Sequence, residues 1–404
     1  MRFAHLADVH LGHRQYGLWE RALDYAKAFM EAIEEILARK LSFVLIAGDL
    51  FDSRLPAAFA VRTAFRELSR LKAAGIPVYA IRGNHDAVET VRGGNYLHLL
   101  ADAGLVRYLE VPDRPYEDLK VGSERARILG FGCSPEAFLE TNLEAVKRAI
   151  DPSADANILL LHQTFDRVEV REQSYLLPTA PFHDERFKAV RYYAMGHVHQ
   201  LAARHPELPA YYPGSLETWD LEDAETIEYT VEKREEKRTP QRQKGFLLVE
   251  LEGEQPRVEP VTLPNRRAVH AHFKYAEVDP KEASEHVLSL ASSLDLDEAV
   301  VNITISGVVK RGSRRSDLMV SEIRRVLTRP LKVRVNNNLS YAGKGSALYV
   351  KGQVGVETAL HAYFLDELRD PAVAESRAKV AIQVFHLLEQ REEEKAKEVL
   401  EAAV

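Results

Sequence analysis

The chain has almost no cysteine: Cys133 is the single one in 404 residues. One thiol can build neither an internal disulfide framework nor a thiolate metal site, and it fits a reducing compartment. Long hydrophobic runs are missing too. No stretch approaches the roughly 20 apolar residues that a membrane-spanning helix needs. The first residues enter an apolar strand without the basic segment and apolar core of a secretion leader. There is no internal repeat and no glycine-rich P-loop, so any dependence on ATP has to come from a partner. With 46% hydrophobic and 28% charged residues, the composition is that of a folded, soluble, cytoplasmic protein. At 404 residues the chain exceeds one ordinary core, and two or three domains are expected.

What is present is a series of donor residues, each placed just after a short apolar run. In order they are Asp8-Val9-His10, Gly48-Asp49-Leu50-Phe51-Asp52, Gly83-Asn84-His85-Asp86, Leu161-His162-Gln163 and Gly196-His197-Val198-His199. The preceding runs, such as Phe43–Ala47 and Ile158–Leu161, suit strands buried on both faces, and helical-period stretches lie between several of them. That alternation predicts an α/β architecture. Ligands collect outside the carboxyl ends of the strands in such sheets, so all five blocks converge on one small volume.

The mixture of donors defines the chemistry. Two divalent ions about 3.5–4 Å apart clamp the attacking and leaving oxygens of a phosphodiester and spread its developing charge. A bridging carboxylate is required, and Asp49 is assigned to it. Asp8, His10 and His199 complete one ion, and Asn84, His162 and His197 the other. Imidazole, amide and carboxylate together favour manganese, iron or zinc over thiolate-preferring metals. Asp52 and Asp86 are read as holding loops and neighbouring histidines, His13 as a residue near substrate phosphate, and His5 as structural.

The net charge is −7, yet from Asn265 to Ser340 there are 13 Lys and Arg against 9 Asp and Glu. The run Lys310-Arg311-Gly312-Ser313-Arg314-Arg315, with Arg324, Arg325, Arg329, Lys332 and Arg334, can neutralise backbone phosphates without reading sequence. Residues 222–262 read as strands closing a first domain of 1–264, with Gly253-Glu254 as a turn and Lys233–Lys244 as a mobile hairpin loop. A small α+β module follows over 265–338, with strands at Val269–Tyr275, Val300–Ile305 and Leu331–Val335 and helices at Pro280–Leu294 and Ser316–Leu327. The Asn336-Asn337-Asn338 run and a 339–354 linker come next. The last unit, 355–404, is a helix–loop–helix with Val356, Leu360, Tyr363, Phe364 and Leu368 on the first helix. Asp370-Pro371 breaks it, and Val380, Val384, Phe385 and Leu388 lie on the second. Such faces must pack on something, and Glu389–Glu401 reads as a solvated helical end.

The blocks up to Asp86, with Pro213-Gly214-Ser215-Leu216-Glu217, Trp219-Asp220 and Lys244-Gly245-Phe246, resemble the calcineurin-like metallophosphoesterase superfamily. Within it they resemble the SbcD and meiotic-recombination-eleven branch of DNA double-strand-break repair nucleases. The resemblance implies a two-sheet metallophosphoesterase sandwich flanked by helices, then a small α+β capping domain that binds DNA, and a C-terminal helix–loop–helix. It implies a manganese-dependent exonuclease and endonuclease with the ligand set above. His85 would be the catalytic residue near the scissile phosphate, as transition-state stabiliser or leaving-group acid. It also implies a nucleoid-associated homodimer, paired through helices in 56–105, that acts on double-stranded ends and single-stranded DNA. Its partner would be an SbcC-type, SMC-like ATPase whose coiled coil the terminal helices clasp. Some archaeal members carry a histidine at the position of Asp52 that helps position DNA for exonuclease action, and Asp52 supplies no such cation. A phosphodiesterase for small nucleotides could use the same metal site, and a scaffold tethering DNA ends could use the same basic module.

Overall fold

The computed structural model describes residues 1–86, 94–134, 136–169, 176–231, 233–253, 255–341, 360–361, 363–364, 371–389 and 393–402. Its strands in chain order are β1 (Arg2–Leu6), β2 (Phe43–Ala47), β3 (Val78–Ile81), β4 (Arg107–Tyr108), β5 (Tyr116–Val121), β6 (Glu124–Phe131) and β7 (Ala156–His162). They continue with β8 (Thr164–Phe165), β9 (Leu176–Leu177), β10 (Val190–Gly196), β11 (Ala203–Arg204), β12 (Ala210–Tyr212), β13 (Glu225–Thr230) and β14 (Glu235–Thr239). The last five are β15 (Lys244–Glu250), β16 (Arg257–Leu263), β17 (Ala268–Val278), β18 (Val300–Val309) and β19 (Lys332–Tyr341). The helices are α1 (Trp19–Arg39), α2 (Ala58–Ala73), α3 (Tyr96–Asp102), α4 (Glu136–Ala149), α5 (Pro280–Ser293), α6 (Val320–Val326), α7 (Pro371–Glu389) and α8 (Glu393–Ala402).

The chain divides into two compact units, 1–225 with 240–268 and 226–239 with 269–404. In the first unit, two six-stranded sheets run β16-β15-β1-β2-β3-β4 and β11-β12-β10-β7-β6-β5. Each apolar run that precedes a donor block is a strand, and β1, β2 and β3 are mutually parallel, as are β6, β7 and β10. Alternation along them explains the layering. Phe3, Phe43, Leu45, Tyr79 and Ile81 point one way and meet Ile128, Ile158, Leu160, Tyr192 and Ala194 from the other sheet. Ala4, Leu6, Val44 and Ile46 point the other way, onto Phe29, Ile33 and Leu68 of α1 and α2. On the far side, Leu129, Leu159 and Leu161 pack beneath Leu139, Leu143 and Val146 of α4. The expected α/β two-sheet sandwich flanked by helices is therefore what forms.

The second unit carries a five-stranded sheet, β14-β13-β17-β18-β19, with α5 between β17 and β18 and with β18 and β19 parallel across α6. Two expectations are corrected here. Residues 226–239 do not close the first domain, and Lys233–Lys244 is not simply a loop. Glu225–Thr239 is an antiparallel hairpin that joins this second sheet, because Ile227 and Tyr229 alternate inward and Tyr229 stacks on Phe273 at 4.9 Å. Nor is Asn336-Asn337-Asn338 a linker: β19 runs through it to Tyr341. Asparagine is usually depleted in strands, but here the amides have partners. Asn336 donates to Asn302 Oδ1 at 3.0 Å, and Asn337 donates to the Arg315 carbonyl at 2.9 Å. Residues 342–354 of the linker, together with Val356, Leu368 and Asp370, lie outside the described residues. The end of the chain is also more than a solvated extension. α8 is a separate helix in contact with α7, with Ala374, Ala378 and Ala396 buried.

His5 shows how the sandwich treats a polar core group. It is fully buried, donates from Nε2 to the Met195 carbonyl at 3.1 Å, and accepts at Nδ1 from the Tyr192 hydroxyl at 2.9 Å. Burial drives its pKa down to about 3, against the smaller opposing effect of the Met195 bond. The unfolded chain takes up this proton near pH 6.5 while the folded chain does not, so acidification below 6.5 costs stability. His5→Gln should lose less of its urea midpoint than the parent between pH 7 and pH 5. The difference is at most about 1.4 kcal/mol per pH unit. Equal losses would mean that His5 is already charged in the fold.

Candidate metal centre

All five donor blocks sit at the carboxyl ends of β1, β2, β3, β7 and β10, as the sheet order requires. The backbone turns sharply there. Asp8, His10, Asp49 and His197 are left-handed, with φ of 51°, 48°, 50° and 84°. Such conformations cost of order 1–3 kcal/mol each outside glycine and cluster where function demands a particular side-chain direction. Gly48, at φ 90°, and Gly83 let the loops close: a Cβ on Gly48 would strike the His162 imidazole, and one on Gly83 would strike the Asp49 carboxylate.

The seven expected ligands meet in one place. Asp8, His10 and His199 have ligand atoms all within 4.8 Å of one another, and so do Asp8, Asp49 and His162. Asp49 Oδ2 lies 3.2 Å from His162 Nε2 and 3.8 Å from His10 Nε2. Asn84 Oδ1 lies 3.1 Å from His162 Nε2 and 3.2 Å from His197 Nδ1. Asp8 is shared as well, with Oδ1 at 3.7 Å from His199 and 3.9 Å from His162. Both carboxylates thus face both groups of imidazoles.

The surrounding bonds aim these donors. His162 Nδ1–H donates to the Ala47 carbonyl at 2.7 Å, which turns Nε2 toward Asn84 and Asp49. The His197 N–H donates to both Asp8 oxygens at 3.1 Å, and the His85 N–H donates to Asp49 Oδ1 at 2.8 Å. Among the described residues Asp86 binds no imidazole. Its oxygens accept the N–H groups of Leu50, Phe51 and Gly83 and tie two loops together. Asp52 is a hub for histidines, with Oδ1 at 2.8 Å from His13 Nδ1, 3.6 Å from His10 Nδ1 and 3.8 Å from His85 Nδ1. His85 Nδ1–H also donates to the Asp52 carbonyl at 2.9 Å.

The electrostatics fit a cation. Burial alone would raise the Asp49 pKa, yet the imidazoles of His162, His10 and His85 hold it below the ordinary carboxylate range. Burial opposes charge on His162 too, but Asp49 and Asp8 outweigh it and lift that pKa to about 9. Burial is the main cause that lowers His10 and His199 and takes His197 to about 4. Neutral imidazoles and ionised carboxylates are the forms that bind metals. The His10 and His199 Nε2 atoms face each other at 3.4 Å beside two carboxylates. Nitrogen lone pairs aimed at a common point are satisfied by an ion there, so the donor set fits one or two divalent cations.

One wall was not foreseen in detail. The Trp219 indole lies over His10 and His13, with centroids at 4.1 and 4.5 Å, and meets His199 edge-on at 4.6 Å. Its loop is tightly held. Arg21 and the Tyr25 hydroxyl donate to the Thr218 carbonyl, Gln15 donates to that of Trp219, and the Trp219 N–H donates to Asp223. Arg21 is 1% exposed and also pairs with Glu217 at 3.1 Å. A polar residue amid the apolar face of a helix was the available signal.

Residues 1–201 match the calcineurin-like phosphoesterase family, and this part of the chain is a calcineurin-like phosphoesterase domain. More narrowly, the chain is similar to archaeal proteins named DNA double-strand break repair protein Mre11. It is 34% identical to that of Archaeoglobus fulgidus over 262 residues, which are 62% of this chain and 57% of that one. Identity to the Methanopyrus kandleri protein is 32%, covering 62% of this chain and 54% of the relative. For Sulfurisphaera tokodaii it is 35%, covering 48% of each. The match spans about half the length of these curated relatives.

If the close approach of Gly83 to Asp49 sets the carboxylate's position, Gly83→Ala should displace it and deplete bound metal. Elemental analysis after desalting measures this, and undiminished metal would show that Asp49 has room to move.

Proposed function

We propose that the chain is the nuclease subunit of a DNA double-strand-break repair complex. It would hydrolyse DNA phosphodiester bonds, as exonuclease and endonuclease, with two divalent ions, manganese by preference. The observation that carries this reading is the convergence of seven nitrogen and oxygen donors from the strand ends of two packed sheets, in a chain similar to archaeal Mre11 proteins. Asp8, His10 and His199 would hold one ion, Asn84, His162 and His197 the other, and Asp49 would bridge them. The contacts of Asp49 Oδ2 with both His162 and His10 support the bridge.

When bound, two such ions supply Lewis acidity, activating water and offsetting the charge of the phosphate. The protein's own contribution is at His85. With Nδ1–H engaged by the Asp52 carbonyl, Nε2 is left to exchange a proton with the departing oxygen or to stabilise the crowded phosphate. The His85 side chain is 32% exposed, so substrate can reach it.

The DNA-binding role falls to the second unit. There Arg311, Arg314 and Arg324 are exposed, while Lys310 and Arg329 are engaged with Glu282 and with Asp295 and Asp297. An SbcC-type ATPase clasped by the terminal helices, a homodimer and a cytoplasmic, nucleoid-associated location complete the reading. No helix among the described residues is long and apolar enough to cross a membrane.

The test is cleavage of an end-labelled linear duplex with manganese, with a chelator as control. Shortening that requires the metal and falls roughly 10²–10⁴-fold in His85→Ala, with metal retained, is the expected result. Turnover of a chromogenic phosphodiester but of no DNA, even with the ATPase added, would instead favour a small nucleotide substrate. Asp49→Ala should lose both ions, and full occupancy in that variant would remove the bridging role.

A further inference from the structure

We propose that the buried ion pair between Lys244 and Asp223 is a positioning device for one half of the metal centre, the Asp8, His10 and His199 half. The inference rests on the ligand reading above. Lys244 opens β15 and is fully buried, and the Asp223 side chain is 5% exposed. Lys244 Nζ lies 2.6 Å from Asp223 Oδ2 and donates to the His199 carbonyl at 2.9 Å. The same Asp223 oxygen accepts the Trp219 N–H at 3.1 Å. The circuit closes through side chains, because the Trp219 indole meets the His199 imidazole edge-on and lies over His10. One ammonium group therefore fixes the backbone of a ligand and, through a carboxylate, the loop that walls it.

A buried ion pair is a poor means of gaining stability, since desolvation takes back most of the Coulombic attraction. What it provides here is direction. The Lys244 stem starts from a strand paired to β1 and β16, and its ammonium reaches both the His199 carbonyl and the Asp223 carboxylate. The His199 carbonyl also accepts the Ser215 N–H, at 3.3 Å. Ligand positions matter to about 0.2 Å, so a small relaxation at residue 199 weakens one ion and leaves the other alone. Groups that orient ligands from behind typically contribute 10–100-fold in metal affinity.

The test titrates the metal-free, full-length chain with Mn²⁺, following stoichiometry by elemental analysis and affinity by calorimetry. Lys244→Met should weaken one of two ions by roughly 10–100-fold and leave the second unchanged. His199→Ala should lose that same ion. Lys244→Met also takes the ammonium from a buried carboxylate that then faces Arg242 at 4.0 Å, so Asp223→Asn/Lys244→Met is the second variant. Its amide oxygen still accepts the Trp219 N–H, and no buried charge remains unpaired. Stability should return in the double variant while the weakened site should not recover. Recovery of both, or two ions of parent affinity in Lys244→Met, would make the pair merely structural and overturn the inference. A parent chain with fewer than two ions, or His199→Ala with both intact, would overturn the ligand reading and this inference with it.

Discussion

Two carboxylates buried side by side are the constraint on which the first unit depends. Asp8 and Asp49 are 0% and 1% exposed, and each is shared between two groups of imidazoles. Charges of like sign in a low-dielectric interior repel strongly and must be neutralised or protonated. In the metal-free chain His162 answers this by holding a proton, since Asp49 and Asp8 outweigh its burial. The sandwich supplies the rest: parallel strands whose ends coincide, and left-handed turns in three of the five donor loops. Asp86, pushed up to about 6 by burial and by Asp49 and held against this by three backbone N–H groups, shows how far that field extends.

Around this charge the fold places two kinds of polar support, and they differ in what they fix. Backbone carbonyls and N–H groups fix tautomers, as Ala47 does for His162 and Asp52 for His85. Buried ionic groups fix loops. Arg21 reaches Glu217, Asp24, Gln15 and the Thr218 carbonyl from α1. Deleting one member of such a network leaves another buried and unpaired, which is why a network of this kind costs more to break than any one contact is worth.

The parts legible in the sequence were those with a strong local signature. Uninterrupted apolar runs such as Phe43–Ala47 can only be strands covered on both sides, and a donor directly after each run must lie at the sheet end. Fold and ligand candidates both followed from that rule. Segments whose partner is distant were not legible. Glu225–Thr239 alternates like any hairpin, and only the packing of Tyr229 on Phe273, more than forty residues away, decides which sheet receives it. Asn336–Asn338 has the composition of a chain break, and only Asn302 and Arg315 make it a strand. Lys244 stood out only as the end of a basic loop and in the Lys244-Gly245-Phe246 motif, with nothing local to reveal a fully buried ammonium.

The same logic bears on why a metal centre of this kind needs a domain of this size. The seven candidate ligands are drawn from five strand ends, so any metal affinity they confer is a property of the sandwich as a whole. Each sheet contributes incompletely: β1, β2 and β3 bring Asp8, His10, Asp49 and Asn84, while β7 and β10 bring His162, His197 and His199. Both candidate carboxylates come from one sheet and all but one of the candidate imidazoles from the other. The packing of Phe3, Phe43 and Leu45 against Ile158, Leu160 and Tyr192 therefore sets the distance between anionic and neutral donors. Interiors packed at crystal density hold such a distance to tenths of an ångström, the tolerance that metal coordination demands.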